Sequence, residues 1–93
     1  MLEPLPPLQY AALSLIDGST SGRQIREGLE GLYGYRKSLP SFYQLMSRLE
    51  YDGLANGWYV LKVVDSQPIK ERLYSLTANG KKRLKETREF YSK

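Results

Sequence analysis

The sequence predicts a mainly α-helical fold with one β-hairpin, in the order helix, helix, helix, hairpin, helix. Three observations predict it. Apolar residues recur at helical spacing in separate stretches before residue 54. The pattern turns aromatic and β-branched from Trp58. A capped, polar helical segment follows Thr77. The 93 residues suffice for one small domain. The expected organisation is an extended arm over 1–6 and a single domain over 7–93.

Each element has its own reason. Pro4, Pro6 and Pro7 restrict the backbone of the arm, and Pro7 suits the first helical position, where its missing N–H costs nothing. The first helix is expected from Pro7 to Asp17, with Leu8, Ala11, Ala12, Leu15 and Ile16 on one face and Gly18 as its stop. The second starts near Ser21, where Ser21-Gly22-Arg23-Gln24 has the form of a capping box. Ile25, Leu29 and Leu32 give its apolar face, and Gly31 and Gly34 are expected to end it. Gly28 lies inside it at a cost of ~1 kcal/mol relative to alanine, which predicts close approach of a neighbouring helix. The third helix, over about 39–52, takes Ser38 as cap, Pro40 in its first turn and Gly53 as its end. Phe42, Leu45, Met46 and Leu49 form its apolar stripe. The hairpin is expected over 58–76: a strand from Trp58 to Val64, a turn at Asp65-Ser66-Gln67-Pro68, and an alternating strand from Lys70 to Leu76. Thr77 caps a last helix with a thin seam of Leu84, Thr87 and Tyr91.

Composition narrows the chemistry. The chain has neither cysteine nor histidine. Disulfides, thiolate metal sites and a cysteine nucleophile are excluded, and the commonest general base and neutral metal ligand are missing. No paired carboxylates or glycine-rich phosphate loop stand out, so no enzyme and no cofactor are expected. The start, Met1-Leu2-Glu3-Pro4, puts an acid where a signal peptide carries bases, and the apolar run Ala11 to Ile16 is too short for a membrane span. A cytoplasmic protein is expected. Net charge is +4, with a pI of about 9.4. It is unevenly placed: residues 1–61 carry 5 bases and 6 acids, residues 62–93 carry 9 bases and 4 acids. That basic end is either a solvated terminal helix or a surface facing phosphates.

The second and third helices with a hairpin directly after them make a winged helix-turn-helix, and the third helix falls where a recognition helix lies. Three segments then carry a family resemblance. Ser38-Leu39-Pro40-Ser41-Phe42-Tyr43 resembles the S-x-G-T-L-Y segment of the PadR family of bacterial transcriptional regulators. Arg48-Leu49-Glu50-Tyr51-Asp52-Gly53-Leu54 resembles its R-L-E-x-x-G-L. Tyr74-Ser75-Leu76-Thr77-Ala78-Asn79-Gly80 resembles its Y-x-L-T-x-x-G. Ser21-Gly22 is similar to the H-G pair opening its second helix. The similarity spans about residues 8–91. Pro40, Ser41 and Gln44 depart from the pattern, and the hairpin lacks the family's glycine- and arginine-rich tip. The family dimerises through longer carboxy-terminal helices, whereas this chain stops at Lys93.

The resemblance implies sequence-specific binding of double-stranded DNA by a homodimer, with the third helix in the major groove and the hairpin as wing. The alternative is a winged-helix module that binds protein, as an adaptor or phage accessory factor. Candidate DNA contacts are Lys37, Ser38, Ser41, Tyr43, Gln44, Ser47, Arg48, Lys62, Lys70 and Arg72. Ser38 and Ser41 either donate to phosphate or only cap the helix. Tyr43 either reaches the groove or packs against the wing. Gln44 and Ser47 lie one turn apart on the polar face, and glutamine can pair bidentately with adenine. Arg48 either reaches guanine or phosphate or pairs with Glu50 or an acid of the second helix. Arg36, Lys37, Lys62, Lys70 and Arg72 form the expected positive rim. Leu8, Leu15, Leu84 and Tyr91 are the candidate dimerisation residues. Trp58 is read as a core or interface residue, and a small-molecule effector is without support.

Overall fold

The structure, a computed structural model, describes residues 3–92; Met1 and Leu2 of the expected arm, and Lys93, lie outside them. Helices α1 (Pro7–Ser14), α2 (Gly22–Tyr33), α3 (Leu39–Tyr51) and α4 (Ala78–Tyr91) surround a three-stranded antiparallel sheet. Its strands are β1 (Thr20–Ser21), β2 (Ala55–Val64) and β3 (Gln67–Leu76), in the order β1-β3-β2. The order of helices and hairpin matches the winged helix-turn-helix expected from sequence. Two-residue β1 was not expected: it pairs Thr20 with Tyr74 and Ser21 with Leu73, which makes β3 central.

The caps explain the helix boundaries. Ser21 accepts from the Gln24 N–H at 3.1 Å while Gln24 Oε1 accepts from the Ser21 N–H at 3.1 Å, a complete capping box. Ser38 accepts from the Ser41 N–H, and Thr77 from the Gly80 N–H at 2.8 Å. Gly53, at φ +74, lets the chain leave α3 in a left-handed turn, with the Leu54 N–H returning to the Leu49 carbonyl.

Three expected boundaries need correction. α1 ends at Ser14, not Asp17: the Leu15 and Ile16 N–H groups bond three residues back, and the chain then turns on mutual Asp17–Thr20 hydrogen bonds. Gly31 lies inside α2, and Gly34 alone ends it. The hairpin is longer than 58–76, starting at Ala55. Its turn is only Asp65-Ser66, both at positive φ, so Gln67 and Pro68 belong to β3. Pro68 is tolerated because β1 does not reach that far along β3.

The core is one cluster. Leu13, Ile16, Ile25, Leu29, Phe42, Met46, Leu49, Tyr74 and Leu84 are buried in it. Gly28 lets α1 and α2 approach: a Cβ there would lie 2.8 Å from Leu15 Cδ2. The arm is docked, not free. Leu5 is buried, its N–H donates to Thr87 Oγ1 at 3.1 Å, and the Tyr91 hydroxyl donates to its carbonyl at 3.3 Å. No helix among the described residues is long and apolar enough to cross a membrane.

Candidate nucleic-acid interface

Burying Phe42, Met46 and Leu49 fixes which side of α3 faces outward. Pro40, Tyr43, Gln44, Ser47, Arg48 and Tyr51 then line one shallow open groove along the helix. None of these six is an acid. Tyr43, Gln44 and Ser47 are exposed, and none of their side chains makes a hydrogen bond among the described residues. Arg48 pairs with Asp52 at 3.0 Å, one turn along the same helix, rather than with Glu50 or α2. Ser38 is the cap of α3, and its hydroxyl bridges to Ser41 Oγ at 3.0 Å, so both expected serines sit at the first turn.

The groove adjoins a cleft of about 360 Å³ between α2, α3 and the hairpin. Tyr43, Lys62, Lys70 and Arg72 line it, together with Arg23. A second cavity of about 290 Å³ lies between α2 and the entry to α3, lined by Arg23, Arg26 and Lys37 among others. Arg23 and Arg26 were missed from sequence, although their i, i+3 spacing puts them on neighbouring positions of α2. Arg23 and Tyr43, each shared by two of these hollows, link them, so that Lys37, Tyr43, Gln44, Ser47, Lys62 and Lys70 lie on adjoining surfaces.

Several expected cations are committed elsewhere. Arg36 pairs with Glu30 at 2.9 Å, and Lys62 with Glu71 at 3.0 Å. Arg72, expected at the phosphates, is held between helix and hairpin: Nη2 lies 2.7 Å from Glu50 Oε1. Its guanidinium stacks over Tyr59 at 4.6 Å from the ring centroid. Desolvation opposes the Arg72 charge, but the Glu50 carboxylate and the Tyr74 hydroxyl together outweigh it and hold its pKa above the usual value. Burial pushes the Tyr74 phenol up as well. Lys70 Nζ also lies over the Tyr59 ring, 4.8 Å from its centroid.

The expected dimerisation residues are mostly used within the chain. Leu84 is part of the core, and Leu15 packs across Gly28. Leu8 is half-buried against the core, and the Tyr91 ring lies 5.8 Å from Tyr10 with about half its surface exposed. Trp58 is half-buried on the sheet, opposite Leu73. At the hairpin tip, residues 61–70 are all exposed, with Leu61 at 75% and Val63 at 77%.

No protein-family model matches the chain, and no curated protein matches it in sequence. Solved structures do match in fold. A PadR family transcription regulator from Clostridium difficile R20291 superposes with a TM-score of 0.79 at 17% identity, covering 94% of this chain and 88% of that one. A PadR-like transcription factor from Bacteroides fragilis gives 0.71 at 23% identity, covering 91% and 80%. Bacillus subtilis PadR, solved in complex with operator DNA, gives 0.69 at 23% identity over 87% of this chain. The chain spans 46% of the length of that PadR. The fold is therefore a PadR-like winged helix.

Proposed function

We propose that this protein is a DNA-binding transcriptional regulator that reads double-stranded DNA with α3 and steadies itself on phosphates through the adjoining clefts. The carrying observation is the outward face of α3, open, polar and free of acids, continuous with a cleft lined by Arg23, Lys62 and Lys70. A recognition helix needs donors and acceptors that the protein itself leaves unpaired, and Tyr43, Gln44 and Ser47 have that character. Phosphate contacts supply affinity, whereas base contacts supply specificity. Gln44 and Ser47 take the second role. Arg23, Arg26, Lys37 and Lys70, with Ser38 and Ser41 at the α3 amino terminus, take the first. Arg48 joins them by exchanging the surface carboxylate of Asp52 for phosphate, a small cost for a surface pair, whereas Lys62 keeps the largely buried Glu71 as its partner. The PadR whose structure holds operator DNA supports the same reading.

The regulator acts as a homodimer on a two-fold site in this reading. Phe90 and Tyr91, each about half exposed, supply apolar surface left open on α4. Light scattering on the full chain at high micromolar concentration should give twice the monomer mass. Fluorescence anisotropy tests the function itself. With roughly six phosphates neutralised per dimer, log K should fall against log salt with a slope of about −5. A slope near zero would reject DNA as the partner.

A protein-binding reading has one observation in its favour: the exposed aliphatic tip with Leu61 and Val63, where the family resemblance implied glycine and arginine. It predicts DNA retention that is weak and insensitive to salt.

A further inference from the structure

We propose that Glu50 and Arg72 form a lock that sets the bearing of the wing on α3, which makes Arg72 a positioning residue for DNA recognition and not a phosphate contact. The functional half of this proposal rests on the DNA-binding reading above.

The geometry is that of a built joint. Glu50 belongs to the last turn of α3 and Arg72 to the middle of β3, and their side chains meet at 2.7 Å. Their side chains are 24% and 21% exposed. Tyr59, the β2 partner of Arg72, lies 4.6 Å from its guanidinium carbon, and Tyr74 lies 5.6 Å from it. Gly57 leaves the space: a Cβ there would sit 2.6 Å from Glu50 Oε1 and 2.8 Å from Arg72 Nη2. Beyond the joint, the hairpin runs outward through residues 61–70 with every residue exposed. Among the described residues this is the only ion pair that ties the wing to α3.

Charge assigns the direction. Glu50 is an acid on a helix whose open groove has none. An Arg72 that left it for a phosphate would strand a largely buried carboxylate, an expensive exchange. Keeping the pair intact hides that negative charge from DNA and holds helix and wing at one angle. A helix and a wing that read the same duplex must arrive in register, so a looser joint lowers specificity before it lowers phosphate contact.

The test exploits the absence of cysteine. Tyr51→Cys and Val63→Cys, at exposed positions, carry two spin labels, and pulsed dipolar spectroscopy on the free full chain reads the helix-to-wing distance. Glu50→Gln in this background should broaden the distance distribution; an unchanged distribution would overturn the lock. In the unlabelled chain, Glu50→Gln should lower the ratio of specific to random DNA affinity about tenfold, the size of one mismatched base pair. Arg72→Gln should leave the salt slope unchanged, whereas a phosphate contact would lower it by about one, and that result would overturn the proposal. A ratio that rises in Glu50→Gln would likewise show that Arg72 had been freed for DNA. Should Glu50→Gln not fold, Arg72→Lys, which keeps the charge but loses the guanidinium fork, carries the same distance and ratio measurements. A parent protein that binds no DNA would reject the regulator reading. The distance arm would then decide the lock alone, broadening upholding it and constancy overturning it.

Discussion

The two ends of this molecule treat their polar groups in opposite ways. Where the arm meets α4, the chain satisfies itself: the Leu5 N–H, the Leu5 carbonyl and the Glu3 carbonyl are taken by Thr87, Tyr91 and Arg83. Along the outward face of α3, Tyr43, Gln44 and Ser47 face solvent with no such partner among the described residues. The first region is closed by contacts 80 to 86 residues apart in sequence, and it stabilises the domain. The second contributes little to folding. A small domain that leaves hydrogen-bonding groups in a row, while using others to bind down its own terminus, has a face suited to an outside partner.

This contrast predicts large stability effects on the closed side and small ones on the open side. Gly80 heads the order. A Cβ there would run into the Leu54 carbonyl oxygen, which is backbone and cannot give way cheaply. Gly80→Ala should cost about 3 kcal/mol or more by urea unfolding. Thr87 follows, since it is fully buried and holds the Leu5 N–H. Thr87→Val keeps the shape but leaves that donor unsatisfied, at about 1–3 kcal/mol in the same assay. The wing turn should respond in the other direction. Asp65 and Ser66 sit at φ +52 and +63, so Ser66→Gly should stabilise by up to about 1 kcal/mol, read as a raised Tm. Lys70→Ala should change stability by less than about 0.5 kcal/mol. Its signature is a salt slope shallower by about one, with specific and random DNA weakened alike.

The sequence made the local half of this architecture legible and hid the long-range half. Ser21 with Gln24, Ser38, Thr77 and Gly53 act within a turn of where they stand, so the starts of α2, α3 and α4 and the end of α3 were readable. The apolar stripe of Phe42, Met46 and Leu49 also located the open face, because burial of one side of a helix fixes the other. β1 was not readable: two residues carry no period, and Thr20 and Ser21 become strand only by meeting Tyr74 and Leu73. The docking of the arm depends on Thr87, whose place in the seam of the last helix is visible but whose partner Leu5, 82 residues away, is not. Arg72 was read as a rim cation because its spacing on the hairpin is visible and its partner, 22 residues away on α3, is not. The end of α1 was overrun because Leu15 and Ile16 keep the helical apolar pattern after the backbone has left it. Arg23 and Arg26 carry no signal in the sequence, because the cavities they line form only when α2 packs beside α3 and the hairpin.

The central claim, that the open face of α3 reads bases, is tested most directly by Gln44→Ala. Gln44 is exposed and makes no side-chain hydrogen bond among the described residues, so its Tm should be unchanged and folding stays out of the comparison. The measurement is the ratio of affinity for a site selected from random duplex DNA to affinity for random DNA itself. The account predicts a loss of about 1–3 kcal/mol on the selected site and little on random DNA, so that the ratio falls. An unchanged ratio, with the parent protein showing a clear preference for its selected site, would contradict it.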